Sequence, residues 1–274
     1  MVAPQAGVTA VPIALPQGIA ASRDKAAASV AAPLEVVGIT KSLGGNLILE
    51  DVSFAARKRE FVAVLGPSGA GKTTLFRCMT GLLAPDRGVV RVSGTPMTDW
   101  HWKSRRHVAV VFQQYNLVGR ICALDNVLAG RLGYVAAWRG WARRFGRADR
   151  LLALECLDRV GLLSRAMQRA DTLSGGQQQR VAIARALAQQ PDVIVADEPV
   201  ASLDPSTGAG ILELLRNIRD EGVAVVCSLH QVHFARQFAD RIVGLSHGRV
   251  VSDCAAGAFD PAAQEKLYGS DSPA

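Results

Sequence analysis

The chain has 274 residues, 49% of them hydrophobic and 20% charged, with a formal net charge of +7 at pH 7. That hydrophobic fraction is ample for a packed core. No stretch approaches the roughly 18 uninterrupted apolar residues of a membrane-spanning helix, so the sequence predicts no transmembrane segment.

The first 33 residues differ in kind from the rest. Residues 1–33 are rich in Ala, Val and Pro, show no periodicity and are predicted to form a disordered tail. Pro4, Pro12 and Pro16 interrupt the apolar run, and the first basic residue is Arg23, which is unlike a secretory signal. The alternative interpretation is a start codon assigned too far upstream.

Strands and helices are predicted to alternate along the remaining chain. Segments 34–39 and 47–54 have the composition of strands in a small antiparallel layer, and 61–65 that of a buried parallel strand. Segment 73–80 is predicted to be a helix that ends in the turn-rich stretch 81–88. Further strands are predicted at 89–92, 107–112, 193–196 and 223–228, and further helices at 124–132, 147–162, 175–190, 205–220 and 232–239. This alternation predicts an α/β fold with a mostly parallel sheet covered on both faces.

A phosphate-binding loop is predicted between the strand 61–65 and the helix that follows it. Residues 66–73 fit the pattern G-x-x-x-x-G-K-[ST] in the strand–loop–helix setting that the motif requires. Glycines let backbone amides approach phosphate oxygens, and the helix N-terminus favours an anion. Lys72 is expected to reach the β- and γ-phosphates, and the Thr73 hydroxyl to bind Mg2+. The full predicted nucleotide-binding set here is Gly66, Pro67, Ser68, Gly69, Ala70, Gly71, Lys72, Thr73 and Thr74.

Residues 173–180, Leu-Ser-Gly-Gly-Gln-Gln-Gln-Arg, resemble the signature motif of ABC-transporter ATPases. That family's other motifs follow in its order, with Gln113 at the Q-loop, Asp197-Glu198 at Walker B, Asp204 in the D-loop and His230 at the switch histidine. The resemblance implies an ABC-type P-loop NTPase: a RecA-like, mostly parallel sheet with an antiparallel β subdomain and an inserted helical subdomain. It implies an ATPase domain over 34–251, with the helical subdomain at about 114–174 and a C-terminal extension at 252–274.

The resemblance also implies ATP and Mg2+ as cofactors and assigns roles to individual residues. Thr73, Asp197 and Gln113 are the implied Mg2+ ligands, and Glu198 the general base for water attack. Gln113 is also a candidate catalytic residue, which could orient the attacking water. His230 would hydrogen-bond the γ-phosphate and Glu198. The alternatives are that Gln113 is an ordinary polar loop residue and that His230 is structural. A second copy of the chain would pack head to tail, so that each copy contributes Ser174, Gly175, Gly176, Gln177 and Asp204 to the other's ATP.

One position departs from the family pattern. ABC ATPases usually carry an aromatic residue that stacks on adenine shortly before the second strand, and Leu43 holds the matching place. Because leucine lacks a π surface, Leu43 is a weak candidate for contact with the base.

Several stretches resemble the ATPases of phosphonate importers in particular, among them 112–117, 126–133, 168–176, 197–205 and 228–232. That resemblance implies two transmembrane permease subunits as partners, a periplasmic phosphonate-binding protein acting indirectly, and a peripheral location at the cytoplasmic face of the inner membrane. ATPases for phosphate, phosphite or other oxyanions are near relatives and stay as alternatives.

The basic residues leave two further questions. Arg139, Arg143, Arg144, Arg147 and Arg150 interleave with Trp138 and Trp141, and this run is either a surface for lipid or permease or a solvated face. A basic surface also suits a DNA-maintenance ATPase with a signature motif, but such proteins insert a long coiled coil, and the interval from Lys72 to Ser174 lacks sustained heptads. No nucleic-acid partner is therefore expected.

Overall fold

The computed structural model describes residues 32–97, 106–136, 138, 140 and 144–269. Almost all of the predicted tail, and also Arg139, Trp141 and Arg143 of the basic run, lie outside the described residues. Within the described part of the chain, no helix is both long and apolar enough to cross a membrane.

A four-stranded antiparallel sheet is formed by the first part of this chain and has the order β2-β1-β4-β5. Its strands are β1 (Leu34–Leu43), β2 (Asn46–Ala56), β4 (Arg87–Val92) and β5 (Thr95–Pro96). Gly44 and Gly45, with φ of +58° and +83°, form the two-residue turn between β1 and β2. Glycine is favoured at both positions because tight hairpin turns need positive φ. The predicted antiparallel layer is confirmed.

The main sheet has six strands in the order β10-β9-β3-β8-β7-β6, all parallel to their neighbours except β10. Its strands are β3 (Phe61–Leu65), β6 (Val108–Val111), β7 (Val193–Ala196), β8 (Ala224–Ser228), β9 (Arg241–Ser246) and β10 (Arg249–Ala255). The central strands are apolar at nearly every position because both faces are covered. Ala63 packs toward the helices on one face, and Val62 toward the antiparallel sheet on the other.

The described α-helices lie mainly around this sheet. They are α1 (Lys72–Met79), α2 (Ala123–Leu128), α3 (Arg147–Arg159), α4 (Gly175–Ala188), α5 (Pro205–Asp220), α6 (Val232–Phe238) and α7 (Pro261–Tyr268). Helices α2, α3 and α4 pack against one another. The helix predicted at 124–132 differs from the structure, since α2 ends at Leu128 and continues as the 3-10 helix Ala129–Tyr134.

The C-terminal part of the chain belongs to the same packed unit as the sheet. The boundary predicted at Val251 falls inside β10, and Phe259 and Leu267 beyond it are each only 1% exposed within the core. A predicted extension over 252–274 therefore does not separate from the domain in the described residues up to 269. The sequence pattern missed β9 and β10.

Candidate functional site

The loop between β3 and α1 owes its shape to three glycines. A Cβ on Gly66 would lie 2.1 Å from the Leu245 carbonyl oxygen, so no larger residue fits where the loop leaves the sheet. Gly69 and Gly71 have φ of +81° and +100°, a left-handed region that favours glycine. A Cβ on Gly69 would meet nothing within 4 Å, so this turn of backbone borders open space.

Helix α1 begins at Lys72, directly after this loop, and its first intrahelical amide bond runs from Leu75 N to the Gly71 carbonyl. The amides before Leu75 therefore lack an intrahelical acceptor, which is the arrangement that binds anions. Lys72 is 6% exposed, and its Nζ donates to the carbonyls of Gly66 at 2.7 Å and Pro67 at 3.0 Å. Burial lowers the pKa of Lys72, and the charges of Glu198 and Asp197 oppose that shift.

Asp197 and Glu198 follow β7 at the carboxyl edge of the main sheet. Ala196 pairs with Cys227 in the parallel register, so the next residues, Asp197 and Ser228, meet at the strand ends. Burial raises the pKa of Asp197, and the hydrogen bond from Ser228 works against this rise. Glu198 has φ of +49°, a strained value for a residue other than glycine.

His230 follows β8 and contacts the second carboxylate. Its Nε2 lies 2.5 Å from Glu198 Oε1, with 44% of the histidine side chain and 19% of the glutamate side chain exposed. The structure thus brings into contact the two residues that the sequence pattern places at the switch histidine and after Asp197. It leaves both groups accessible to a ligand in the cavity beside them.

The phosphate loop, Glu198 and His230 border one open cavity of about 460 Å³. It is lined by Ile48, Ser68, Gly69, Gly71, Lys72, Thr73, Thr74, Glu198 and His230. Thr73 also lines a smaller neighbouring cavity of about 110 Å³, and the residues around that second cavity include Asp197 and Phe112. Gln113 is an exposed residue directly after Phe112.

The signature residues lie elsewhere. Ser174 caps α4 and Gln177 completes a capping box, with Ser174 N donating to Gln177 Oε1 at 3.0 Å. A Cβ on Gly175 would meet the Tyr115 hydroxyl at 2.8 Å, and one on Gly176 would meet Thr207 Cγ2 at 2.4 Å. None of Ser174, Gly175, Gly176 and Gln177 lines the cavity at the phosphate loop.

Asp204 caps α5, close to the signature residues. It accepts hydrogen bonds from Thr207 N at 3.0 Å and from the Ser206 hydroxyl at 2.7 Å. These bonds lower the pKa of Asp204 well below its usual range. Because a Cβ on Gly176 would meet Thr207 in the first turn of α5, Asp204 and the signature residues are neighbours, and Asp204 does not line the cavity at the phosphate loop.

Sequence reasoning missed two residues of the site, Ile48 and Ser228. Ile48, on β2, lines the main cavity, whereas Leu43 lies 40% exposed at the end of β1 and is not among the lining residues. Ser228, which contacts both Asp197 and Glu198, was missed as well. A signal for Ser228 existed in its place as the last, polar residue of an otherwise apolar strand.

Together, the parallel sheet, the glycine loop with its buried lysine and the carboxylates at the strand ends define a P-loop nucleotide hydrolase. Residues 49–201 match the family described as ABC transporter. The chain therefore belongs to the ABC transporter family, among its ATP-binding subunits.

Curated relatives cover most of the chain. It is 48% identical over 86% of its length to the hypophosphite import ATP-binding protein HtxD of Stutzerimonas stutzeri, of which it covers 70%. It is 50% identical over 81% of its length to the phosphonates import ATP-binding protein PhnC of Frankia casuarinae, of which it covers 90%. Among solved structures, a dimeric ATP-binding cassette in a post-hydrolysis state with ADP and Pi is 36% identical, with a TM-score of 0.70 over 82% of this chain and 100% of that one.

Proposed function

We propose that this chain is the ATP-hydrolysing subunit of a phosphonate ABC importer, coupling ATP-driven dimerisation and hydrolysis to uptake through separate permease subunits. The contact of His230 with Glu198 beside the phosphate loop carries the hydrolytic part of the proposal. The relatives named for phosphonate import, including the protein from Frankia casuarinae, support the transport part.

The residues present fit ATP and Mg2+. The open space at Gly69 and the N-terminal amides of α1 suit phosphate oxygens, and buried Lys72 supplies a cation at the same point. Thr73 and Asp197 border one cavity, and a hydroxyl with a carboxylate is a donor pair that suits Mg2+. Gln113 is the third proposed ligand. Bound there, Mg2+ would neutralise phosphate charge during the reaction.

Hydrolysis then needs a base aimed at water near the γ-phosphate. Glu198 accepts the proton from the attacking water through a carboxylate oxygen. His230 contacts that carboxylate at the cavity wall through its Nε2. In this proposal it would also hydrogen-bond the γ-phosphate. Lys72 neutralises phosphate charge from the loop side.

A second copy of the chain completes the reaction site in this proposal. Ser174, Gly175, Gly176 and Gln177 lie away from the chain's own phosphate loop and form the start of α4, so they would face the ATP held by the partner. Asp204 would cross the same interface. The dimer would act as a peripheral assembly at the cytoplasmic face of the inner membrane, with two permeases and, across the membrane, a phosphonate-binding protein. No nucleic acid is involved.

Two measurements test the transport assignment. The ATPase activity of the reconstituted complex should rise when phosphonate-loaded binding protein is added, and the isolated subunit should not respond. A Lys72→Ala strain should fail to grow on a phosphonate as sole phosphorus source and grow normally on ample phosphate. Normal phosphonate uptake by that strain, with no second ATPase present, would overturn the assignment.

A second candidate substrate is hypophosphite, because the relative from Stutzerimonas stutzeri is named for its import. Growth of the same strain on phosphonate, hypophosphite, phosphite and phosphate as separate phosphorus sources distinguishes these substrates. A defect on hypophosphite alone would favour this candidate.

A further inference from the structure

Ser228 is the fully buried last residue of β8, with 0% of its surface exposed. The strand is flanked by β3 on one side, where Val64 pairs with Ser228, and by β7 on the other. Because the β7–β8 register places Ala196 opposite Cys227, the Ser228 hydroxyl faces the first residues beyond β7.

One hydroxyl makes two hydrogen bonds at this point. The Glu198 amide donates to Ser228 Oγ at 2.8 Å, and Ser228 Oγ donates to Asp197 Oδ1 at 2.8 Å. A hydroxyl can accept and donate at once, which a thiol does weakly and a methyl group cannot do. The two neighbouring acidic residues are therefore linked through a single atom of the adjacent strand.

The Glu198 backbone needs such a contact. Its φ of +49° is unfavourable for a residue with a side chain, and such conformations persist where the surroundings fix them. Ser228 holds the amide end of Glu198, and His230 holds the carboxylate end. Both contacts come from the same stretch of chain at the end of β8.

We propose that Ser228 is a positioning residue for ATP hydrolysis, whose hydroxyl fixes the Glu198 backbone and the Asp197 carboxylate in one mutual orientation. This inference rests on the proposed roles of Glu198 as base and Asp197 as Mg2+ ligand. Loss of the hydroxyl would leave the phosphate loop intact, since Ser228 is not among the residues that line the main cavity. Turnover and the Mg2+ requirement should change, and ATP binding in excess Mg2+ should not.

The test compares three substitutions at Ser228 with a matched control. Ser228→Ala removes the hydroxyl, Ser228→Cys replaces it with a slightly larger thiol that is a weak donor, and Ser228→Thr retains the hydroxyl. The control is Ser252→Ala on β10, the same chemical change in the same sheet, where the hydroxyl forms a hydrogen bond with Cys254 Sγ and with neither acidic residue of the site. Each full-length variant is assayed for steady-state phosphate release, half-saturating ATP, half-saturating Mg2+ and thermal midpoint.

Ser228→Ala and Ser228→Cys should lower kcat by about 10- to 100-fold, the effect of a small misplacement of a reacting group. Half-saturating Mg2+ should rise several-fold, half-saturating ATP should stay within about twofold, and Ser228→Thr should recover most of the rate. A kcat within about threefold of wild type in folded Ser228→Ala and Ser228→Cys would overturn the inference. So would a loss of rate that merely follows a lowered thermal midpoint.

Glu198→Gln separates this inference from the function on which it rests. If Glu198→Gln keeps the wild-type rate, the proposed hydrolytic role of Glu198 is wrong. If Glu198→Gln is inactive while both hydroxyl-free variants at Ser228 hydrolyse normally, the positioning role alone is wrong.

Discussion

His230 Nε2 lies 2.5 Å from Glu198 Oε1, and this contact joins the chain just beyond β8 to the chain just beyond β7. The two strands are neighbours in the sheet, so residues 32 positions apart in sequence are brought to one cavity wall. In the proposed mechanism, the other carboxylate oxygen of Glu198 would accept the proton of the attacking water. A base whose orientation is fixed by a neighbouring imidazole is the arrangement expected for activating water.

Glu198→Gln should abolish ATP turnover and preserve ATP binding. The amide keeps the shape of the side chain but cannot accept the proton of the attacking water, and Lys72 and the loop remain unchanged. Steady-state phosphate release measures turnover, and gel filtration with ATP should show a trapped dimer. Glu213→Gln, an exposed change on α5, is the matched control. Wild-type hydrolysis by Glu198→Gln would remove this residue from the mechanism.

Gly66→Ala should destabilise the protein and abolish ATP binding together. The added Cβ would lie 2.1 Å from the Leu245 carbonyl oxygen, so β9 or the phosphate loop must move. Gly257→Ala is the control, because its added Cβ would meet nothing within 4 Å. Thermal midpoint and binding of a fluorescent ATP analogue measure the two effects. Equal stability and binding in the two variants would contradict the close approach of β9 to the loop.

Asp204→Ala should lower the stability of the isolated subunit at pH 7, and the difference from wild type should shrink on acidification. Hydrogen bonds from Ser206 and Thr207 lower the pKa of Asp204. A carboxyl group whose pKa is lower in the folded chain than in the unfolded chain stabilises the fold at pH values above its unfolded pKa of about 3.9. This stabilisation is lost as the pH falls toward the pKa of the folded state. Asp204→Asn keeps a helix-capping acceptor and should lose less. Thermal midpoints between pH 3 and pH 7 without ATP test this, and a pH-independent difference would contradict it.

The fold was largely predictable where one local pattern decided the structure. One contiguous unit is formed by the apolar run of β3, the glycine loop and α1, and its geometry follows from short-range sterics. Helix α5 starts where the sequence indicates, with Asp204 as its N-cap and Pro205 in its first turn. The main sheet could be inferred because its buried strands are apolar throughout.

The parts that were missed depend on contacts between distant segments. In the sequence, Ser228 is only a polar residue at the end of a strand. Its contact with Asp197 depends on the register between β7 and β8. Ile48 reaches the cavity because β2 passes near Gly71, where the Ile48 carbonyl oxygen lies 2.9 Å from the position of a Cβ. Likewise, the sequence of β10 has no clear strand pattern, and the segment is a strand because it pairs with β9.

The nucleotide selectivity of the chain tests whether Leu43 contacts the base. If Leu43 replaces the adenine-stacking aromatic, ATP and GTP should be hydrolysed with similar efficiency, and Leu43→Tyr should tighten ATP binding by about 1 kcal/mol through stacking. Leu47→Tyr is the control, because Leu47 is also an exposed leucine on this hairpin. It pairs with Ser42, the neighbour of Leu43.

Ile48→Ala distinguishes the two apolar candidates for contact with the nucleotide. Ile48 lines the phosphate-loop cavity and Leu43 does not, so removal of the Ile48 side chain should weaken ATP and GTP alike. Half-saturating concentrations of both nucleotides are measured for wild type, Leu43→Tyr, Leu47→Tyr and Ile48→Ala. A strong preference for ATP in the wild type, with no gain from Leu43→Tyr, would show that Leu43 does not cover the base. If Ile48→Ala then weakened ATP much more than GTP, the base contact would belong to Ile48, because loss of a contact with the phosphates or ribose alone affects both nucleotides equally.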